Sequence, residues 1–346
     1  MRIAKHVLAK LPAVYSVCSI VLDGKTHFLA ASEGRDKCLL FSPPDWRASE
    51  VWPGPGGAMC MCPLPGHEGA FLAIQGLFPG FVADTAGLHL ARRGARLIDP
   101  WTVREVASLP YVHRMEVVNQ GGVSYVVAAT VCSGKTHVDD WSQPGAVYIG
   151  KVPEPLTDES WRLEPVLTGI SKNHGMHVSK LGGELSVFVS GHEGIYRLHV
   201  PSHPGERWQH DRVMEQEVSD LYIADLDGDG KPELLTIEPF HGHRFMIYKS
   251  VKQGWEPIFE SSLSFGHVVW GGTIAGAPSA VTSSRSDTKD LALFRVVSKS
   301  PLGLERLTID AGVGASQIAV VNESGRDLIF SSNNGVSEVV LYEITP

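Results

Sequence analysis

Three aspartates alternate in "ADLDGDGKPELL", the stretch that begins at residue 224: Asp225, Asp227 and Asp229. Carboxylates at alternate positions ahead of a glycine offer the oxygen ligands that calcium prefers, and Glu233 adds another. The pattern therefore predicts a structural calcium site. A plain hairpin turn is the other interpretation, because an Asp-Gly pair alone is enough to make one.

A few residues further on, Glu238, His241 and His243 cluster in "EPFHGHR". An unperturbed imidazole titrates near pH ~6.5 and can take and give protons in general acid–base catalysis. Imidazole with carboxylate also suits a catalytic divalent ion such as Mg²⁺, Mn²⁺ or Zn²⁺, which would polarise a carbonyl group. Recognition of a polyhydroxylated ligand is a third use of such side chains, and all three chemistries stay open at this point.

The elements that position these residues repeat along the chain. A short apolar strand, a turn containing glycine and a β-branched strand ending in small residues recur in seven copies, roughly 50 residues apart. A third strand and, in most copies, a more polar fourth strand follow. Four antiparallel strands per copy predict an all-β fold, a seven-bladed β-propeller that occupies the whole chain. The predicted blades are approximately residues 13–56, 57–110, 111–170, 171–217, 218–266, 267–312, and 313–346 together with 1–12.

The two ends of the chain belong to the same blade in this prediction. The seventh copy stops after its third strand, at "VVLYEITP", and "RIAKHVLAKLP" near the N-terminus has the pattern of a fourth strand. We expect the N-terminal strand to complete the last blade and close the ring, since closure removes exposed sheet edges.

The propeller topology sorts the candidate residues onto two faces. The aspartate turn joins the first two strands of blade five, whereas the Glu238 region joins the second and third, so we expect them on opposite faces. When the copies are aligned on their first turn, four side chains approach one mouth of the channel, and His177 lies a short step further along. The four are His113, His174, Asp220 and His267. Imidazoles from separate blades predict a catalytic site, because blade packing does not require them there.

Asp220 is predicted to bind substrate, and other side chains are predicted to join it on this face. They are Glu33, Arg35, Gln75 and His192 in loops between second and third strands, and Trp141 and Trp270 as stacking platforms for a sugar ring. Trp141 belongs to the long loop "CSGKTHVDDWSQPG", which could cover the mouth as a lid.

Composition and charge exclude several classes of protein. A net charge of −8 argues against a nucleic-acid partner, which would need clustered Lys and Arg. We find no long apolar segment that predicts a membrane span and no nucleotide-binding fingerprint, so no nucleotide cofactor is expected. The five cysteines are few and odd in number, which is typical of a reduced, cytoplasmic protein.

Two sequence resemblances add to this picture. The DxDGDG hairpin resembles FG-GAP/VCBS-type propeller repeats. The segments "YVHRMEV", "KNHGMHV", "EPFHGHRFMIY" and "FGHVVW" resemble the propeller domain of the fungal aldos-2-ulose dehydratases, over about residues 110 to 275. Those enzymes remove water from ketosugars such as glucosone or anhydrofructose, so the resemblance implies β-elimination. The residues that it implicates are His113, His174, His177, Glu238, His241 and His267.

Three functional hypotheses follow from the sequence. The first is a dehydratase-like lyase for a sugar-like small molecule, with His113, His174, His177 or His267 as base and acid, and Glu238 and His241 binding a metal or orienting the base. The second is a non-catalytic propeller that binds a glycan or a protein on the same face. The third is a metal-dependent isomerase or hydrolase.

Overall fold

The computed structural model describes residues 1–96, 99–252 and 254–346. The described residues form seven antiparallel sheets of four strands each, arranged as a β-propeller, as the repeats predict. Among them, no helix is long or apolar enough to cross a membrane.

Each of the first four sheets follows one copy of the sequence repeat. Its strands are, in chain order, β2 (Val14–Leu22), β3 (Lys25–Ser32), β4 (Cys38–Ser42) and β5 (Arg47–Trp52) in blade one; β6 (Met61–Pro63), β7 (Ala70–Gln75), β8 (Gly87–Arg92) and β9 (Thr102–Ser108) in blade two; β10 (Val112–Gln120), β11 (Val123–Thr130), β12 (Gly145–Lys151) and β13 (Glu164–Ile170) in blade three; and β14 (Gly175–Leu181), β15 (Glu184–Gly191), β16 (Gly194–His199) and β17 (Gln209–Met214) in blade four.

The remaining three sheets complete the ring. Their strands are β18 (Asp220–Ala224), β19 (Glu233–Glu238), β20 (Arg244–Val251) and β21 (Gly254–Ser262) in blade five; β22 (Gly266–Ile274), β23 (Ala277–Ser284), β24 (Leu291–Lys299) and β25 (Leu302–Asp310) in blade six; and β26 (Ala315–Glu323), β27 (Arg326–Asn333), β28 (Glu338–Thr345) and β1 (Arg2–Lys10) in blade seven. A short 3₁₀ turn, Asn334–Val336, connects β27 to β28.

Local sequence explains the hairpins within each blade. Between β2 and β3, for example, Asp23 and Gly24 both have positive φ, 50° and 70°. Two successive residues with positive φ form the type I′ turn, which matches the twist of the two strands it joins. Each blade therefore starts from a local hairpin that its own sequence specifies.

The N-terminal strand closes the ring. β1 pairs with β28 from Arg2, opposite Thr345, to Lys10, opposite Glu338, so the last blade contains both ends of the described chain. At the seam with blade one, Phe28 stacks on Phe330 with ring centroids 4.6 Å apart. Apolar side chains pack in the same way between other neighbouring blades, so the hydrophobic core is a set of layers between sheets.

The first strand of every blade lies at the centre of the ring. Neighbouring first strands contact one another all the way round, from β2 through β6, β10, β14, β18 and β22 to β26, which contacts β2 again. These strands start at the same end of the central channel, so the residues at their beginnings approach one another. This placement builds the site described next.

Candidate functional site

Four imidazoles from four blades meet at one end of the channel. They are His113 on β10, His174 immediately before β14, His267 on β22 and His241 in the β19–β20 loop, and we call them the histidine cluster. Ring centroids of His174 lie 4.8 Å from those of His113 and His267 and 4.9 Å from that of His241. His113, His174 and His267 are almost completely buried.

A tyrosine that the sequence analysis did not select completes the cluster. The Nδ1–H of His267 donates to the carbonyl oxygen of Ser316 at 2.7 Å, which leaves Nε2 with the lone pair. The hydroxyl of Tyr15 therefore donates to this Nε2, at 3.2 Å, and lies 3.5 Å from Nε2 of His174. Tyr15 occupies the position in blade one that His113, His174 and His267 occupy in their blades, and this register was the available sequence signal.

The surroundings keep the imidazoles neutral. Burial and the positive charges of Arg285 and Arg114 lower the pKa of His241 to about 3. The pKa values of His113, His174 and His267 lie well below their ordinary value, mainly through burial. Burial likewise raises the pKa of Tyr15 to about 12. At neutral pH the cluster therefore offers unprotonated nitrogens beside a protonated phenol.

These side chains line a cavity of about 220 Å³, which we call the histidine cavity. Glu33 and Arg285 contribute to its wall, and Phe78 and Phe81 from the β7–β8 loop lie across it. Of the predicted substrate-binding residues, Glu33 is thus the one that lines the same cavity as the histidines.

Arg114 and Asp220 contact His174 on the side away from the histidine cavity, where both line the second cavity along the channel. Nε of Arg114 donates to the carbonyl oxygen of His174, and Nη1 donates to that of Met59 at 3.4 Å. Nη2 lies 3.5 Å from Nδ1 of His174 and 3.8 Å from Oδ2 of Asp220. Burial raises the pKa of Asp220 to about 7, although Arg114 counteracts this. Asp220 therefore orients the site from behind His174, rather than facing the histidine cavity as the sequence analysis expected.

His177 and Trp270 lie in a second cavity, of about 230 Å³, further along the channel. The ring of His177 packs on that of Tyr222, with centroids 3.9 Å apart, and Tyr222 lies 6.1 Å from Trp270. Three residues along an extended strand span about 10 Å, which separates His177 from His174. His177 and Trp270 therefore line a neighbouring cavity and not the histidine cavity, and His267 lines both.

Two of the predicted ligands for a catalytic metal, Glu238 and His243, do not join the histidine cluster. The carboxylate of Glu238 is buried within its blade, where it accepts hydrogen bonds from Thr236 Oγ1 at 2.6 Å and from the Tyr248 hydroxyl at 2.9 Å. Alternation along β19 places Glu238 on the same face of the sheet as Thr236, while His243 is exposed. Of Glu238, His241 and His243, His241 alone joins a group with metal-ligand spacing among the described residues: His174, His241 and His267 each offer one nitrogen within 4.8 Å of the others. The carboxylates of Asp225, Asp227 and Asp229 form a second group with such spacing.

The aspartate turn joins β18 to β19, the first two strands of blade five. His241 of the histidine cluster lies in the next loop, which joins β19 to β20. Asp225 accepts hydrogen bonds from the amides of Gly228 and Gly230, at 2.7 and 3.0 Å. The ammonium group of Lys249 contacts Asp227 and lies 2.9 Å from Asp229. These contacts are those of a self-stabilised hairpin turn whose charge is partly neutralised by a lysine. Glu233 is fully buried, and one of its oxygens accepts from the amide of Leu226 at 2.8 Å.

Two of the remaining predicted ligand-binding residues, Trp141 and Arg35, contact phenylalanines of the histidine cavity without lining it themselves. Trp141 packs on Phe81 with ring centroids 5.2 Å apart, and Nζ of Lys135 lies 3.3 Å from the centroid of the Trp141 ring. Arg35 is exposed, with its guanidinium 5.2 Å from the ring of Phe78.

Two further predicted residues have other surroundings. His192 is exposed and lies 3.1 Å from a carboxylate oxygen of Glu217. Gln75 ends β7, and its side-chain nitrogen is buried without a hydrogen-bond partner among the described residues. Neither contacts the histidine cluster.

Comparison with known proteins identifies the architecture. No protein-family model and no curated protein matches the chain. Among solved structures, the β-propeller domain of Cps50 (Swd1) from Myceliophteria thermophila gives a TM-score of 0.59 at 7% identity, over 99% of this chain and 100% of that one. The architecture is a seven-bladed β-propeller.

Two bacterial structures agree with this assignment. Both are described as a putative 6-phosphogluconolactonase. The one from Bacteroides fragilis gives a TM-score of 0.54 at 8% identity, covering 94% of this chain and 93% of its own. The one from Bacteroides uniformis gives 0.55 at 12% identity, covering 93% and 90%. At these identities the likeness shows the fold alone.

Proposed function

We propose that the protein is a carbon–oxygen lyase that removes water from a small polyhydroxylated carbonyl compound by β-elimination. The observation that carries this proposal is the contact between the Tyr15 hydroxyl and Nε2 of His267, 3.2 Å apart in a buried cavity. A neutral imidazole and a protonated phenol side by side offer a base and an acid to the same substrate.

His267 acts as the base in this proposal. Its Nδ1–H is held by the carbonyl of Ser316, so Nε2 is directed at the cavity and takes the proton from the carbon α to the substrate carbonyl. The electron pair of that bond passes into the enolate. Arg114 and Arg285, which lower the imidazole pKa values, favour the negative charge that develops on the enolate oxygen.

Tyr15 acts as the acid. As the enolate collapses to a carbon–carbon double bond, the β-carbon–oxygen bond breaks and the departing hydroxyl receives the Tyr15 proton, which releases water. The imidazolium of His267 then returns its proton to the phenolate of Tyr15 across their 3.2 Å contact. Both side chains are thereby restored, and the net change is loss of one water from the substrate.

The resemblance to the aldos-2-ulose dehydratases supports this chemistry at four of the six residues it implicates. His113, His174, His241 and His267 share the cavity, whereas His177 and Glu238 do not. A buried cavity of this kind also favours an enzyme over the alternative of a propeller that binds a glycan or protein on a flat face.

A metal-dependent hydrolase or isomerase is a second candidate, because His174, His241 and His267 fit a divalent ion. Their nitrogens lie within 4.8 Å of one another, and the hydrogen bond from His267 Nδ1 to a backbone carbonyl is the support that metal-bound histidines usually receive. A bound ion would supply a Lewis acid that polarises the substrate carbonyl. In that arrangement Tyr15 and His113 remain as the proton-transfer groups. The two Bacteroides neighbours make a sugar lactone the substrate to try.

The test is a product analysis by proton NMR with glucosone, anhydrofructose and a sugar lactone, before and after treatment with a chelator. We expect an unsaturated product from a ketosugar, and we expect His267→Gln and Tyr15→Phe to reduce its formation by about 100-fold or more. His210→Gln, which changes an exposed imidazole on β17, should leave the rate unchanged.

Two results would decide against the lyase. Lactone hydrolysis that the chelator abolishes, without any elimination, would replace it with the metal-dependent candidate. Elimination at the full rate in Tyr15→Phe and His267→Gln would refute the assigned roles.

A further inference from the structure

A guanidinium, a carboxylate and an amide from three neighbouring blades meet at the wall of the histidine cavity. Arg285 follows β23, Glu33 follows β3 and Asn334 follows β27, so all three lie in connections between second and third strands. Nδ2 of Asn334 donates to Glu33 Oε1 at 2.9 Å, and Nη2 of Arg285 donates to Asn334 Oδ1 at 2.7 Å. Asn334 therefore holds both charged side chains in fixed positions.

The Arg285 guanidinium has unused donors. Its side chain is 22% exposed and lines the cavity, and a Glu33 oxygen lies 3.7 Å from Nη2. Among the described residues, Nε–H and Nη1–H have no side-chain or backbone acceptor within hydrogen-bond distance. Each of these N–H groups can donate a charge-assisted hydrogen bond to a ligand carboxylate, and such bonds are about twice as strong as those between neutral groups.

Arg285 brings a positive charge to the wall of the cavity, with Glu33 3.7 Å away. Arg285 is the charged group that lowers the pKa of His241 and His267 most, after the effect of burial itself. Burial raises the pKa of Glu33, whereas Arg285 and the hydrogen bond from Asn334 act in the opposite direction. The neutral imidazoles and the protonated Tyr15 add no further anion. A ligand carboxylate would add a second acceptor for the free N–H groups of Arg285.

We propose that Arg285 binds a carboxylate of the substrate, so that the compound transformed in the histidine cavity is a small sugar acid. The cavity volume of about 220 Å³ is below the range of about 300–1,000 Å³ that is typical of drug-sized ligands, which favours a single small acid over an oligosaccharide. The identity of the reaction rests on the proposed function, whereas the binding of a carboxylate at Arg285 does not.

Isothermal titration calorimetry with defined probes tests this binding site. D-gluconate carries hydroxyls and a carboxylate, and D-glucitol is the matched neutral polyol. We expect the protein to bind gluconate at least tenfold more tightly than glucitol, a difference of about 1.4 kcal/mol. Arg285→Gln should abolish the preference, and Arg285→Lys should keep part of it, because the charge remains while the planar guanidinium and its several N–H donors are lost.

Two further variants separate binding from folding and from charge in general. Arg295 lies on β24 of the same blade and forms an exposed ion pair with Glu305. Arg295→Gln therefore removes one positive charge elsewhere on the blade and should keep the preference for gluconate. Asn334→Ala keeps the guanidinium but frees it, so it should weaken gluconate binding without abolishing it. Circular dichroism of each variant confirms that the propeller has folded.

Several results would overturn the proposal. They are absence of gluconate binding, equal binding of gluconate and glucitol, and a preference that survives in Arg285→Gln. Binding of inorganic phosphate as tight as that of gluconate would replace the sugar acid with a phosphorylated ligand. None of these measurements uses turnover, so a protein that binds gluconate at Arg285 but eliminates nothing would refute the proposed lyase and leave the carboxylate site standing.

Discussion

Replacing His177 by glutamine should make the protein less sensitive to acid. The imidazole packs against Tyr222 in the second cavity, and burial lowers its pKa from the ordinary 6.5 to about 4, although a hydrogen bond with the backbone of Ile223 acts in the opposite direction. Between those two pH values the unfolded chain binds a proton that the folded protein does not. The contribution of this neutral imidazole to stability is therefore complete above pH 6.5 and is lost as the pH falls towards 4.

The size of the effect follows from the two pKa values. One pKa unit corresponds to about 1.4 kcal/mol, so a fall from neutral pH to about pH 5 costs the wild type about 2 kcal/mol through His177. The carboxyls of Glu116 and Asp220 line the same cavity, and burial raises the pKa of each to about 7. These two carboxyls stabilise the folded protein as the pH falls, because the folded protein binds protons that the unfolded chain does not. This contribution is the same in wild type and variant, so it cancels in the comparison.

Urea unfolding of both proteins at about pH 7.5 and about pH 5 measures this difference. The stability of wild type relative to His177→Gln should fall by about 2 kcal/mol between the two conditions. Val178→Ala, at the next position on β14, removes a side chain without a titrating group, so its cost should be the same at both pH values. A difference between wild type and His177→Gln that does not change with pH would refute the reasoning.

Three other perturbations test the fold and the turn. Deleting residues 1–10 leaves β28 as a free edge, so we expect a lower melting temperature and aggregates in size-exclusion chromatography; an unchanged melting temperature would contradict closure by β1. Tyr248→Phe removes a donor from the buried carboxylate of Glu238 and should cost about 1–3 kcal/mol in urea unfolding, whereas full stability would contradict this role. Lys249→Met removes the ammonium beside Asp227, so calcium should raise the melting temperature of this variant more than that of the wild type; an equal response would argue against a calcium site.

The fold could be predicted because its information is local and repeated. Each hairpin has its own glycine turn, such as Asp23-Gly24, and the copies recur at the spacing of a blade. The missing fourth strand of the last copy also required a partner, and β1 supplies it. The meeting of His113, His174 and His267 follows from the same register, since equivalent positions in a propeller face one channel.

The details of the site could not be predicted, because they depend on side-chain direction and on contacts between distant blades. His177 follows His174 by only three positions, yet this distance along the channel places the two side chains in different, adjacent cavities. Glu238 lies three positions before His241, yet its carboxylate is buried within blade five, where it accepts a hydrogen bond from Tyr248. The positive charge of Arg285 at the cavity emerges only when blades one, six and seven are assembled.

The most direct test of the central claim is the exchange of the proton α to the carbonyl of a ketosugar in deuterium oxide, followed by proton NMR. If His267 removes that proton, the wild type should exchange it or eliminate water at a measurable rate, and His267→Gln should be slower by about 100-fold or more. Equal rates in the two proteins would contradict the claim that the histidine cavity is an elimination site.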